Sequence, residues 1–209
     1  MNKPVESERF GWRDMKPPHN HDYQAPRILE VCHRLGARRI LDLGCGNGAL
    51  CRVLHEQGFD VVGCEPDREG FEIAQKSVPG AVFHQLGAYD DPGPLASAPF
   101  DLVVSTEVMS IIQRPGMVAH FASRVLKPGG LLVVAAAYHG YLKNLAIVLM
   151  GKWDVHHSPW WDHGQIKFFS RASLEQMLRR AGFEILEFHG VGRLPFFWKT
   201  MVVVARKTA

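Results

Sequence analysis

The feature that most restricts this chain is a glycine run, Gly44-Cys45-Gly46-Asn47-Gly48, set between the apolar stretch Arg39 to Leu43 and the helix-patterned Leu50, Val53 and Leu54. Glycines at that spacing let a strand turn tightly into a helix. They also let a ligand lie against the main chain, with no Cβ to hold it off. A strand–loop–helix unit of this kind belongs to a parallel sheet covered by helices, which settles the class of fold before other segments are read.

The flanking sequence keeps the same alternation. A helix is expected from Tyr23, with Ile28, Leu29, Cys32 and Leu35 at helical spacing and Gly36 closing it. Arg39 to Leu43 is the first strand, Gly58 ends the helix after the glycine run, and Phe59 to Cys64 is the second strand. Asp67 to Ser77 reads as helix, Ala81 to Gln85 as strand, Pro92 to Pro99 as turns and Phe100 to Ser105 as strand. Met117 to Leu126 reads as helix, Lys127 to Gly130 as a turn and Leu131 to Ala137 as a fifth strand. Ser170 is placed to cap a helix carrying Leu174, Met177, Leu178 and Ala181, which Gly182 stops. Phe183 to Phe188 and Met201 to Ala205 follow with no helix-length segment between them, the pattern of an antiparallel pair. The expectation is an α/β fold: a doubly wound, Rossmann-like, seven-stranded sheet, five strands parallel plus an antiparallel C-terminal hairpin, with helices on both faces. Residues 1–22, polar and carrying Pro4, Pro17 and Pro18, read as a mobile or draped arm, and 23–209 as a single domain.

Composition narrows the function classes. Hydrophobic residues at 46% and charged residues at 22% suit one well-buried domain. The net charge is +3 and the basic residues are scattered, so no nucleic-acid surface is expected. Cys32, Cys45, Cys51 and Cys64 form no Cys-x-x-Cys pair and read as reduced, mostly buried thiols. His19, His21, His156, His157 and His163 show no ligand spacing, so no metal is expected. Met1 to Lys16 lacks the apolar core of a secretory signal, and apolar runs such as Leu131 to Tyr138 are far shorter than the ~20 residues of a membrane helix. A cytoplasmic protein without stable membrane insertion is the expectation, its oligomeric state left open.

Glu65 stands at the tip of the second strand, 23 residues after Asp42, where a carboxylate can accept hydrogen bonds from a ribose. Ile40 to Gly48 resembles motif I of the class I S-adenosylmethionine (SAM)-dependent methyltransferases. Val62 to Asp67 resembles their second motif, Phe100 to Val108 their fourth-strand motif and Leu126 to Gly130 their turn before strand five. In character the chain is similar to the ubiquinone-biosynthesis O-methyltransferases and related quinone and small-molecule methylases, over residues 23 to 206. The resemblance implies SAM as cofactor, leaving as S-adenosylhomocysteine. Dinucleotide-binding domains differ in spacing, G-x-G-x-x-G, and an acid beside the loop suits the ammonium of SAM while repelling a pyrophosphate.

Carried over by position, the resemblance implies that Gly44, Cys45, Gly46 and Asn47 line the methionine moiety, which Asp42 faces, and that Glu65 holds the ribose. It implies that Pro66 and Asp67 flank the adenine and that Gly87-Ala88-Tyr89 close over its edge, although relatives usually carry an acid in that segment. Thr106 and Glu107 would lie beneath the sulfonium. Tyr23 would cover the methionine carboxylate, or else is a packed helix aromatic.

The acceptor side is expected past the ends of strands four and five. Relatives carry a run like E-x-x-E-H after strand four, whereas this chain has Glu107-Val108-Met109-Ser110-Ile111-Ile112, without the second acid or the histidine. Candidate bases are then His163, in a segment Trp161 to Phe168 that resembles the H-x-x-x-K-F run of quinone methylases, and His139 at the tip of strand five. Glu107 is the remaining catalytic candidate. Residues 141–169, with Tyr141, Leu142, Leu145, Val148 and Leu149 at helical spacing and Trp153, Trp160, Trp161, Phe168 and Phe169 beyond, read as a lid suited to a flat or apolar acceptor. The expected activity is O-methylation of a small aromatic or quinone-like acceptor, with N- or C-methylation as alternatives. A SAM-binding sensor or partner protein without catalysis is the alternative of another class, favoured by an acceptor side that proved closed.

Overall fold

A computed structural model describes residues 11–157 and 159–208; Pro4, the rest of residues 1–10, Ser158 and Ala209 lie outside the described residues. Among the described residues, seven strands form one sheet in the order β3-β2-β1-β4-β5-β7-β6. Strands β1 (Arg39–Leu43), β2 (Asp60–Cys64), β3 (Val82–His84), β4 (Phe100–Thr106) and β5 (Leu126–Ala137) run parallel. Strand β7 (Thr200–Lys207) lies antiparallel between β5 and β6 (Phe183–Val191), so the C-terminal hairpin closes the sheet as its short connection requires.

Two buried layers hold the helices to the sheet. On one face, α1 (His21–Arg34), α2 (Ala49–Glu56) and α3 (Arg68–Ser77) bring Ile28, Val31, Leu54 and Ala74 against Ile40, Val61, Leu102, Val104 and Val202. On the other, α4 (Gly116–Val125) and α7 (Arg171–Arg180) bring Val118, Phe121, Leu174 and Leu178 against Leu41, Val103, Leu132 and Val203. The strand residues alternate between the two lists because successive side chains of a strand point to opposite faces. Ser170 caps α7 as its position predicts: its Oγ accepts from the Ser173 N–H and the Ser173 Oγ accepts in return from the Ser170 N–H.

Three segments differ from the sequence reading. Helix α1 begins at His21, two residues early, because the Pro18 carbonyl accepts the His21 N–H and starts the turn. Lys127 to Gly130, expected as a turn before β5, is an outward bulge within it: pairing to β4 jumps from Leu126 to Leu131, and Gly129 takes φ 70°. The lid is two helices, α5 (Tyr141–Leu149) and α6 (Trp153–His157), and α5 is turned inside out relative to its leucine pattern. Lys143 and Ile147 point inward, while Tyr141, Leu142, Leu145, Val148 and Leu149 are exposed. Of the lid aromatics, Phe169 joins the core as packing would have it, whereas Trp153, Trp160, Trp161 and Phe168 are exposed.

Candidate active site

The glycine run leaves the carboxyl end of β1 and is tied to its neighbours by the main chain. The Gly44 and Cys45 N–H groups both donate to the Cys64 carbonyl, at 2.8 and 3.0 Å, and the Ser105 hydroxyl donates to the Leu43 carbonyl. Gly44 and Gly46 have φ of 84° and 55°, a region open to glycine and costly for other residues. A Cβ on Gly44 would overlap Val108, and one on Gly46 would overlap the indole of Trp12. The cradle therefore accepts flat or backbone-hugging groups and nothing branched from its own chain.

Two carboxyl groups serve this cradle. Glu65, only 6% exposed, accepts from the Gly46 N–H at 2.8 Å through Oε2 and from the Asp67 N–H at 3.0 Å through Oε1. Burial pushes its carboxyl up to about 7, against the pull of those two hydrogen bonds. Asp42 is fully buried at the foot of the loop and is also pushed up to about 7 by burial. Its Oδ2 accepts from the Cys51 thiol at 3.3 Å, while Oδ1 is buried with no hydrogen-bond partner. An acceptor atom in that state is what an ammonium would complete. The four cysteines are buried thiols, as expected, and burial raises Cys32 to about 12.

The other residues expected to hold the cofactor fall around the same edge. Asp67 caps α3, accepting from the Glu69 N–H. Pro66 faces Gly87, where a Cβ would lie 3.0 Å from the proline ring. Ala88 is buried, and Tyr89, half-exposed, accepts the Arg114 N–H through its hydroxyl. Just beyond this segment, Asp90 Oδ2 accepts the Gly87 N–H at 2.7 Å. The arm is docked where it is described. The Asn47 amide donates to the Asp14 and Lys16 carbonyls at 3.0 and 2.8 Å, and Trp12 lies against Gly46 and Gly70.

A cavity of about 290 Å³ opens beside the cradle, past the carboxyl ends of β4 and β5. Its wall includes Tyr23 of α1, Glu107, His139, Lys143 of α5, Gln165 and Thr200. Glu107, at φ 61°, ends β4 in a conformation rare for a side chain of its size. Its Oε1 accepts from Gln24 at 2.6 Å and Thr200 at 3.2 Å, and burial pushes its carboxyl up. Thr106, just before it, pairs with Ala135 of β5. His139 is 7% exposed, and burial pulls its imidazole down to about 4. Its Nε2 meets Gln165 Oε1 at 2.9 Å, and its Nδ1 is buried without a hydrogen-bond partner. His163 is not among the residues lining the cavity; its ring stands edge-on to Trp161 at 6.4 Å.

The segment carrying His163 is anchored at the loop after β4. The Ile166 and Lys167 N–H groups donate to the Ser110 carbonyl at 2.8 and 3.0 Å, which presents Gln165 to His139. Gln165, Gln24 and Thr200 were not singled out by the sequence, since nothing in their spacing marks them. Among the described residues no group of three or more His, Cys, Asp or Glu could hold a metal, and no helix is long and apolar enough to cross a membrane.

Comparison with known proteins agrees with this arrangement. A family model described as a methyltransferase domain matches residues 19–187. The chain is 30% identical over 193 residues to a ubiquinone biosynthesis O-methyltransferase of Azorhizobium caulinodans, covering 88% of this chain and 72% of that one. Its fold is shared with a putative methyltransferase from Bacillus halodurans (TM-score 0.70, 15% identity, 89% and 99% of the two chains). It is also shared with the magnesium protoporphyrin IX methyltransferase of Synechocystis, solved with S-adenosylhomocysteine bound (TM-score 0.67, 15% identity, 88% and 82%).

Proposed function

This chain belongs to the class I SAM-dependent methyltransferases, enzymes acting here on a small molecule, and from that premise we propose that it methylates a hydroxyl of a flat, aromatic or quinone-like acceptor. The observation that carries the acceptor reading is the cavity of about 290 Å³ at the ends of β4 and β5, beside the glycine cradle. A non-catalytic SAM binder would have no use for an open chamber there.

The cradle fits the cofactor. Gly44 and Gly46 leave main chain bare, Asp42 Oδ1 awaits a donor for the methionine ammonium, and Glu65 stands where ribose hydroxyls would donate. Bound there, SAM supplies a methyl carbon already activated by its sulfonium. The chain's own contribution is then to orient the acceptor and receive a proton. His139 is suited to the second task. With Gln165 Oε1 accepting from the Nε2–H, the lone pair falls on Nδ1, which is buried near Asn144 and must be uncovered as the acceptor enters. An imidazole pulled down to about 4 does not strip a resting phenol. It takes the proton as the oxygen gains its methyl and turns strongly acidic. Glu107, already bonded to Gln24 and Thr200, positions the floor of the chamber. His163 acts through its segment, which holds Gln165 in place.

The test is turnover with methyl-¹³C-labelled SAM against a panel of catechols, hydroquinones and arylamines, read by NMR. A methoxy carbon signal is expected. His139→Ala is expected to lower kcat by roughly 10²–10⁴ with little change in KM for SAM. Label appearing only on nitrogen or carbon, or an unchanged kcat in the variant, would refute this reading.

A further inference from the structure

The chamber is lined by more cationic side chains than its acids can balance. Lys143 is only 4% exposed, and its ammonium donates to the Tyr138 carbonyl at 2.6 Å; no carboxylate among the described residues lies within ion-pair distance. Arg193 and Lys199, on the β6–β7 link, line the same space, also with no carboxylate partner among the described residues. The Lys199 ammonium rests over the Tyr23 ring at 5.0 Å. The histidines bordering the chamber feel these charges: His156 is pulled down to about 4, by burial first and then by Lys143, His157, His139 and Arg193. Against the three cations stands one lining acid, Glu107, whose Oε1 is engaged by Gln24 and Thr200 and whose carboxyl burial pushes toward the neutral form.

A buried ammonium with one carbonyl for company is costly unless an anion completes it. Burial and the neighbouring Arg193 pull Lys143 down to about 8, so it still carries its charge at neutral pH. The lid geometry adds to this. Helix α5 turns five apolar side chains to solvent and its lysine inward, which a chamber for a purely apolar acceptor would not favour. We propose that the acceptor carries an anionic group, a carboxylate or a phosphate, held by Lys143 with Arg193 and Lys199 while its hydroxyl faces the cradle. This rests on the acceptor chamber argued above and specifies what enters it.

One competing anion is the carboxylate of the cofactor itself, and the experiment separates the two. Protein saturated with S-adenosylhomocysteine is titrated calorimetrically with 3,4-dihydroxybenzoate, with 3,4-dihydroxyphenyl phosphate and with the neutral 3,4-dihydroxybenzamide. At least one anion is expected to bind roughly tenfold or more tightly than the amide. That preference is expected to fall to about twofold in Lys143→Met, and to fall partway in Arg193→Ala, an exposed position that leaves the fold intact. Affinity for S-adenosylhomocysteine is expected to stay within about twofold in both variants. Equal binding of acids and amide, binding of none of the three, or loss of S-adenosylhomocysteine affinity in step with the cations would each overturn the proposal. An anion that binds with the expected preference and, when SAM replaces S-adenosylhomocysteine, takes the label on carbon and not on oxygen leaves this inference standing and refutes O-methylation instead.

Discussion

Asp42 links stability to the cofactor and yields a prediction with a defined sign. Its ordinary value of 3.8 is pushed up to about 7 by complete burial, and one of its oxygens has no partner. Between pH 3.8 and 7 the folded chain therefore keeps a proton that the unfolded chain has lost. Stability from this group is greatest in acid, falls as pH rises through that window, and levels off above it. From pH 5 to pH 7 the fall is at most about 2.7 kcal/mol at ~1.36 kcal/mol per unit, and relaxation of the site brings the expected value to ~1.5–2.5 kcal/mol. Asp42→Asn abolishes the titration but adds a fixed, pH-independent change in packing and hydrogen bonding. The informative quantity is thus the difference in Tm between variant and wild type, measured at pH 5 and again at pH 8. That difference should move in favour of the variant by ~3–10 °C, at ~2–4 °C per kcal/mol for a chain of this size. Glu65 titrates in a similar range but is present in both proteins, so most of its effect cancels. A Tm difference independent of pH would show that Asp42 is ionised without penalty, and the account of its unpartnered oxygen would fall with it.

Two further outcomes follow from the cradle. Glu65→Gln leaves one of the Gly46 and Asp67 N–H groups without an acceptor, so SAM affinity should drop ~10–100-fold by calorimetry. In the wild type, affinity should weaken as pH falls below about 7, where Glu65 and Asp42 become protonated, and in the variant this dependence should shrink to the part owed to Asp42. Trp12 fills the space over Gly46, so a cofactor that uses that surface must move the indole aside. Trp12→Ala should speed SAM association several-fold in stopped-flow fluorescence, and unchanged or slower association would place the indole outside the cofactor's path.

How far the fold could be read from the chain depends on which forces act locally. The five parallel strands with their antiparallel closing hairpin, the capping of α7 by Ser170 and the strand–glycine–helix junction follow from periodicity and glycine conformation, and these survive in the structure. The inward turn of α5 could not be read that way. Its leucines predict a buried apolar face, but the inner position goes to Lys143, whose ammonium finds the Tyr138 carbonyl five residues earlier. That contact depends on the end of β5, which periodicity does not see. Asp90 is a gentler case: nothing in the spacing marks it, yet its carboxylate folds back to the Gly87 N–H. Gln165 and Arg193 reach the chamber from segments far apart in the chain, so only the closed fold brings them together.

The loop after β4 lacks the second acid and the histidine that the family resemblance implies, and the structure gives that loop another use. At the places where the resemblance implies a second acid and a histidine, this chain has Ser110 and Ile111, preceded by Met109. Met109 is buried in the core, and the Ser110 carbonyl receives two N–H groups from the lid segment. A loop that supplied side chains for chemistry would have to keep them exposed to the acceptor. This one turns its side chains inward and offers main chain as an anchor. The anchor sets Gln165 against His139, at the end of the neighbouring strand, and Gln165 in turn selects which imidazole nitrogen carries the proton. Cutting that chain of contacts at Gln165→Leu should therefore act on the tautomer of His139 before it acts on the fold, because Gln165 lines the chamber and is not part of the buried apolar core.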